Sequence, residues 1–547
     1  MLRIPSFPTR PWPLFDTAAT RELERQAAAR RPAHALMQRA GQSLARLALA
    51  LAPHARTVWI ACGPGNNGGD GLQAAAWLRQ WMDAAPPGTC NCRVLVTCTR
   101  ERSHMPADAQ AAWDQARQAG VQWIEAMPEG MDAQDLCVDA LLGIGLRLPN
   151  DALRPQDPRL MDCLRSLQST HCPVLCADIA SGLAADTGQY LPPFAPPPGA
   201  APGGTRHTLA LLTLQPGLFT GAGRDACGQV WWDDLGTGLA SGSEPDHATP
   251  CAQLFAPTAV HARPHASHKG SYGDVAILGG EGLALRGMSM AGAAWLAALA
   301  ALHGGAGRVM LSLLDDADAS SATAPWPEIM LRHPQAQDWH SATVVCGCGG
   351  GQAVQAWMAR ILEQAPRLVL DADGLNAVAR DPQLALSLRE RNGRRQATVL
   401  TPHPLEAARL LGCSTAEVQA DRLQAARELA LRFQCTALLK GSGTVVTQTP
   451  DTAKAAVPQP CWINPTGNAR LATGGTGDVL AGLIAALWAQ GRTPTEAAAL
   501  AAYRHGAVAD QWPSALPFSA SALALQLGQP LPKSAQGQLT PVGGRED

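Results

Sequence analysis

Residues 473–478 read Thr-Gly-Gly-Thr-Gly-Asp and lead into an apolar, alanine-rich run from Val479 to Trp488. Small residues let backbone N–H groups converge on an anion, and the positive end of a following helix adds to the attraction. Asp478 is the first carboxylate past that anion hole. It is badly placed to bind a phosphate and well placed to take a proton from a hydroxyl that attacks one. Upstream, Leu438-Leu439-Lys440-Gly441-Ser442-Gly443-Thr444-Val445-Val446 reads as strand, tight turn and strand, with a lysine at the mouth. Lys440 can meet a nucleotide phosphate, and Ser442 and Thr444 offer hydroxyls. The chain carries 4 Lys against 39 Arg, and two of the four, Lys269 and Lys440, fall in glycine-flanked turns. Thr401-Pro402-His403-Pro404 follows an apolar strand and precedes a helix expected from Leu405, so the prolines hold His403 at a strand's carboxyl end. Asp371 and Asp373 end the apolar run Leu368-Val369-Leu370. They suit either a hydrated magnesium ion or the capping of a helix expected from Leu375.

The amino-terminal half carries a second constellation. The strand-like Thr57–Cys62 runs into Gly63-Pro64-Gly65-Asn66-Asn67-Gly68-Gly69-Asp70-Gly71, with an alanine-rich helix expected after it. Strand, glycine-rich loop and helix is a common way to bring amides onto a phosphate. The loop is not a strict Gly-x-Gly-x-x-Gly, and it lacks the Lys-Ser/Thr of a nucleoside-triphosphate loop. Two further strand ends carry Asp139, before Gly143-Ile144-Gly145, and Asp178, before Ile179-Ala180-Ser181. Asn67, Asp139 and Ser181 offer hard oxygen donors only, which suits an alkali or alkaline-earth cation and not zinc. The plainer alternative is that each aspartate caps the next helix.

Both halves alternate strand-like and helix-like runs over 547 residues. That spacing predicts an α/β chain of two three-layer domains with mainly parallel sheets. The expected boundaries are 1–242 and 251–530, with a linker near Ser241 to Pro250 and a disordered tail over 531–547. Residues 191–204, rich in Pro, Gly and Ala, read as a loop insertion in the first domain. The 46% apolar content supports full cores, and a net charge of −2 offers no polybasic surface for nucleic acid or acidic lipid. The first 30 residues show no apolar secretion signal, and the most apolar helix candidate, Gly287 to Leu302, is too short to span a bilayer. Fifteen scattered cysteines, several within strands, fit buried thiols of a cytoplasmic protein. A homo-oligomer is compatible with all of this.

The motifs of the second half, in their order, resemble the ribokinase-like ADP-dependent NAD(P)H-hydrate dehydratases. Ser267-His268-Lys269-Gly270, Gly279-Gly280, Gly292-Ala293, Ala301 to Gly307 and Asn464-Pro465-Thr466-Gly467-Asn468 add to the match. The sequence departs at Gly347-Cys348-Gly349-Gly350-Gly351, where the family has Gly-Pro-Gly-Leu-Gly, and at Leu405, usually Gly. Loss of that proline is expected to loosen the loop. The first half resembles the NAD(P)H-hydrate epimerase domain, from Leu36-Met37-Gln38-Arg39-Ala40-Gly41 to Gln215-Pro216-Gly217. There Ala180 replaces a usual proline. The two domains in this order resemble the bifunctional nicotinamide-nucleotide-hydrate repair enzymes, a Rossmann-like epimerase domain followed by a ribokinase-like one.

The resemblance implies roles residue by residue. Asn67, Asp139 and Ser181 would bind potassium. Asn66, Asn67, Gly68, Gly69, Asp70, Asp178 and the stretch Gly143, Ile144, Gly145, Leu146, Arg147, Leu148, Pro149 would contact the hydrate in the epimerase site, with Asp178 the candidate for proton transfer. Ala293, Gly349, His403 and Asp478 would contact it in the dehydratase site. Lys440, Gly441, Ser442, Gly443, Thr444 and Gly477 would bind ADP with its magnesium. The implied substrates are NADHX and NADPHX, with no nucleic acid or membrane partner. Two alternatives remain: a ribokinase-like kinase of a vitamin alcohol, and a non-enzymatic nucleotide-binding protein.

Overall fold

The computed structural model describes residues 1–86, 92–146, 157–197, 199, 203–239, 248–257, 264–314, 325–449 and 461–529. Two sheets organise them. The first has eight strands in the order Leu2–Arg3, Gln229–Asp233, Arg206–Leu211, Val174–Ala177, Leu136–Ala140, Thr57–Cys62, Arg93–Cys98 and Gln122–Trp123. All neighbours are parallel except the first pair. The second has eleven, in the order Ile329–Leu331, Arg308–Leu313, Asp274–Gly279, Thr343–Cys346, Arg367–Leu370, Ala397–Leu400, Thr436–Leu439, Val445–Gln448, Trp462–Ile463, Ala252–Leu254 and Trp12–Leu14. Its first seven strands are parallel, and an antiparallel hairpin then turns the sheet back.

Strand periodicity explains the layers. In Thr57–Cys62, Trp59 and Ala61 enter one apolar cluster while Val58, Ile60 and Cys62 enter another on the opposite face. In Asp274–Gly279, Ala276 and Leu278 share the cluster of Trp59, and Val275 and Ile277 face the helices Ala291–His303 and Thr476–Ala489. Strands buried on both faces read as near-continuous apolar runs, as these do after Thr57 and Asp274. One cluster thus runs through both halves of the chain, bridged by Trp12, Leu14, Phe219, Trp232 and Leu254. The amino-terminal strand Trp12–Leu14 pairs with Ala252–Leu254 at the edge of the second sheet, so the chain's start is tied to its second half.

Several local expectations are adjusted. The helix after Thr57–Cys62 begins at Asn66, so Asn67 to Gly71 are helical and not a loop. The glycines permit this: a Cβ on Gly68 would lie 2.0 Å from Gly63 O, and one on Gly63 would lie 1.7 Å from Leu141 O. The helix expected from Leu375 starts a turn earlier, at Ala372, and the one expected from Leu405 starts at Pro404. The strand Arg206–Leu211 is followed by Leu212 at φ 67°. Within 191–204, Pro192–Phe194 forms a 3-10 turn whose Phe194 is buried against Gly182. Most of the expected linker and all of 531–547 lie outside the described residues. The helix Ala291–His303 is a core helix. Among the described residues no helix is long and apolar enough to cross a membrane.

Candidate functional site

The carboxyl ends of the second sheet's parallel strands gather the groups expected to do chemistry. Gly475 adopts φ 91° and opens the helix Thr476–Ala489, with Asp478 in its first turn. Thr473 and Gly474, just before the helix, are exposed. Thr476 is anchored: its hydroxyl donates to Leu471 O (2.8 Å) and Thr473 O (2.9 Å), and its own carbonyl accepts from buried His505 Nε2 (2.9 Å). Burial raises the Asp478 carboxyl to about 7, and the Asp371 carboxylate pushes the same way against the opposing pull of Lys440. One ligand atom each from Cys348, Asp371 and Asp478 lies within 4.8 Å of the others.

Lys440 sits at the mouth of the expected hairpin, formed by Thr436–Leu439 and Val445–Gln448. Its Nζ bonds Asp371 Oδ1 (2.7 Å) and lies 4.0 Å from Glu406 Oε2. Burial favours the neutral amine, but the two carboxylates outweigh it and the lysine titrates above its ordinary range. A Cβ on Gly477 would lie 3.4 Å from that ammonium, which brings the anion hole and the lysine together as expected. Asp371 does not cap the helix that follows it; its Oδ1 also accepts from Thr401 Oγ1 (2.8 Å). Asp373 accepts from Gly351 N (2.8 Å).

His403 is indeed held by its prolines, and it has a task of its own. Its Nδ1 accepts from Leu405 N and Glu406 N (3.2 and 3.3 Å), capping the helix Pro404–Leu411, while Glu406 Oε2 accepts from His403 N (2.8 Å). The proton is therefore on Nε2, which lies 3.3 Å from Glu406 Oε1. Gly349 takes φ 57°, and a Cβ there would lie 2.8 Å from Ala293 Cβ, so these two residues adjoin. The loop Gly347–Gly351, expected to be loosened by its missing proline, is pinned instead. Buried Glu281 accepts from Gln352 N (2.7 Å) and Ala353 N (2.9 Å) and pairs with Arg286 (2.5 Å). Lys269 lies before Asp274–Gly279, at the opposite edge of the sheet, and takes no part.

The first sheet's carboxyl edge opens into a cavity of about 740 Å³ lined by Asn66, Asn67, Asp70, Gly143, Ile144, Gly145, Leu146 and Asp178. Arg147, Leu148 and Pro149 lie outside the described residues. Asp178 adopts φ 67°, and its Oδ2 accepts from Ile144 N (3.1 Å). Burial lifts it to about 6, and burial, with Asp178 nearby, raises Asp70 as well. Asp139 accepts from Ser181 N (2.9 Å), Ser181 Oγ (2.5 Å) and Leu141 N (3.3 Å), so it joins two strand ends and caps no helix. Both amide atoms of Asn67 are buried without a hydrogen-bond partner among the described residues. Sequence reasoning missed Thr20, Arg21 and Glu24, which the helix Thr17–Ala29 adds to the cavity wall.

Comparison with known sequences fits both clefts. The model of the NAD(P)H-hydrate dehydratase family matches residues 278–532, and that of the YjeF-related protein N-terminus matches residues 33–217. The bifunctional NAD(P)H-hydrate repair enzyme of Escherichia coli (strain K12) is 36% identical over 493 residues, 87% of this chain and 84% of that protein. The chain belongs to the bifunctional NAD(P)H-hydrate repair enzymes. Their Coxiella burnetii member is 32% identical over 514 residues, covering 91% of this chain and 94% of its own. The ADP-dependent (S)-NAD(P)H-hydrate dehydratase of Neisseria meningitidis is 41% identical over 262 residues, 46% of this chain and 82% of the relative. The family's dehydratase half coincides with the Asp478 cleft and its N-terminal half with the Asp178 cavity. Within this family, Cys348 beside Asp478 and Glu281 under the glycine loop are the features that motif reading did not reveal.

Proposed function

We propose that the chain repairs hydrated nicotinamide cofactors in two steps: it interconverts the (R) and (S) epimers of NADHX and NADPHX in the Asp178 cavity, and dehydrates the (S) form in the Asp478 cleft at the expense of ADP. The observation that carries the second step is Asp478 itself. It is a carboxylate titrating near neutrality in the first turn of a helix whose N-terminus suits a phosphoryl group.

Water is a poor leaving group, so the C6 hydroxyl must first become phosphate. Asp478 takes the hydroxyl proton as the oxygen attacks the β-phosphorus of ADP, and the P–O bond to AMP breaks. The amides of Gly475 to Gly477 and the Lys440 ammonium face the charge on the transferred group. Loss of phosphate from C6 and of a proton from C5 then restores the dihydropyridine ring, leaving AMP and phosphate. Lys440, Gly441, Ser442, Gly443 and Thr444 hold the nucleotide; Ala293, Gly349 and His403 border the hydrate. Magnesium comes with ADP, where it neutralises phosphate charge. Asp371, whose Oδ1 bonds Lys440 and Thr401, would help to hold it.

In the first half the donor set suits potassium: the buried Asn67 carboxamide, without a partner among the described residues, has an oxygen to offer, and Asp139 and Ser181 supply oxygens alone. One carboxylate would neutralise a monovalent ion. Asp178 is the base for proton movement, and Asp70, its carboxyl also raised by burial, is the second carboxyl of the cavity. Mixing the protein with hydrated NADH and ADP should restore dihydronicotinamide absorbance until both epimers are consumed. A stable phosphorylated product would point to a small-molecule kinase, and tight ADP binding without turnover to a nucleotide sensor.

A further inference from the structure

The nucleotide turn of the second half is gripped by the first half of the chain. Thr220 Oγ1 donates to Ser442 O (3.2 Å) and approaches Gly443 O (3.4 Å), and Gly221 N donates to Ser442 O (3.2 Å). Gly443 stands at φ 63°, and a Cβ there would lie 2.1 Å from Phe219 O, so the two backbones touch where only glycine fits. Behind the turn lies Arg422, 1% exposed. Its Nε donates to Thr220 Oγ1 (3.2 Å), Nη2 to Leu439 O (3.3 Å) and Lys440 O (3.1 Å), and Nη1 to Gln419 Oε1 (2.6 Å). Every acceptor is neutral. Among the described residues no carboxylate lies within ion-pair distance of this guanidinium.

A buried, unpaired cation is costly, and a protein keeps one where its hydrogen bonds or its charge are needed. Here both act on Lys440 to Gly443. The guanidinium fixes the carbonyls on either side of Lys440, and its charge lies under a turn meant for a diphosphate. The grip continues at a second point: Arg224 Nη2 donates to Pro465 O (3.1 Å) and Gly467 O (2.8 Å), in the loop after the strand beside the hairpin. On the other side the strut is firm. Thr213 bonds Thr20 (2.8 Å) and Gln215 (3.0 Å), both buried, and Gly217 N donates to Ala185 O (2.7 Å).

We propose that the first half of the chain completes the ADP site of the second: Thr220, acting through Ser442 and Arg422, is a positioning residue for the Lys440–Gly443 turn. The proposal rests on the assignment of that turn to ADP. The turn keeps its own bonds, Lys440 N to Pro402 O and Thr444 Oγ1 to Gly441 O, so loss of the strut weakens the site without abolishing it.

The test uses the full-length chain, the (S) hydrate and varied ADP. Thr220→Val keeps the shape and removes the hydroxyl. It should raise the KM for ADP on the order of 3- to 20-fold, the worth of one or two hydrogen bonds. The KM for the hydrate and kcat should stay within about twofold, epimerisation measured without ADP should be unchanged, and Thr220→Ser should restore the ADP requirement. An unchanged KM for ADP in Thr220→Val, or a loss of kcat with equal rises in both KM values, overturns the proposal. Arg422→Lys should shift the ADP requirement in the same direction. Lys440→Ala separates the two ideas: if it leaves the KM for ADP unmoved, the nucleotide assignment itself is wrong.

Discussion

Lys440 Nζ and Asp371 Oδ1 lie 2.7 Å apart, and this pair governs the charge of the dehydratase cleft. Asp371 raises the Asp478 carboxyl and Lys440 lowers it, so the base feels both members of the pair. Glu406, lifted to about 6 chiefly by burial, stands 4.0 Å from the ammonium. The cleft thus holds three carboxylates around one lysine. An arriving diphosphate must compete with Asp371 for that lysine, and a magnesium ion accompanying it offsets the added negative charge.

Asp478→Asn should leave the fold and ADP binding intact, since the two side chains are nearly isosteric. Dehydration should fall on the order of 10²–10⁴-fold, the usual worth of a positioned base, with epimerisation unaffected. In the parent protein the base works only when ionised. With its carboxyl at about 7, kcat should drop roughly tenfold per pH unit below neutrality and level off above it. A flat profile from pH 5 to 9 would remove Asp478 from the proton transfer.

Lys440→Ala should raise the KM for ADP more than that for the hydrate. It should also move the acid limb of kcat to higher pH, because the lysine is one of the groups holding the Asp478 carboxyl down. Steady-state kinetics at several pH values would show both effects. A shift of the limb to lower pH would contradict the charge arrangement described here.

How much was readable beforehand follows sequence distance. The Lys440 hairpin and the Asp478 turn are local, and residues within ten positions of each other announce them through glycine and apolar runs. Asn67, Asp139 and Ser181 were grouped because the strand ends of a parallel sheet share one edge, and the structure joins Asp139 to Ser181. The partners of these motifs were not readable. Arg422 meets Thr220 across 202 positions, and Glu281 reaches Gln352 across 71, with no periodicity to mark either. Cys348 was noticed only as a missing proline. Its neighbour Asp478 is 130 positions away, so nothing local tied the thiol to the base. The start of the helix at Asn66 was misjudged because glycines read as loop, whereas here they allow the helix to touch Gly63 and the core.

His505 gives the second half an acid-sensitive stability. Burial depresses it from 6.5 to about 4, and it stays neutral while donating to Thr476 O. The unfolded chain binds a proton near pH 6.5 and the folded chain does not until about 4. The stabilisation is therefore complete above pH 6.5 and is lost as pH falls through that window, by about 3 kcal/mol in total. His505→Gln can keep the donor and cannot titrate. Urea unfolding followed at pH 7 and pH 4.5 should show a smaller acid loss in the variant than in the parent, and equal losses would refute the assignment.

The proposed cation site makes the sharpest demand on the first half. Asn67 has two buried amide atoms with no partner among the described residues, a costly state unless something binds there. Asp139 and Ser181 are already bonded to each other at 2.5 Å, so their geometry does not depend on the ion, whereas that of Asn67 does. Epimerisation should therefore rise with potassium and be insensitive to sodium at equal ionic strength. Asn67→Leu should fill the same space, lose the potassium dependence and slow the reaction. Asp139→Ala should be worse, since it frees the Ser181 turn as well as removing the site's one carboxylate. With mixed epimers and excess ADP, the parent should consume everything. Both variants should stop after the (S) form, leaving the (R) form to its spontaneous interconversion. Complete consumption at the parent's rate by Asp139→Ala would show that Asp139 only ties two strand ends together, and the cation would have to be sought elsewhere.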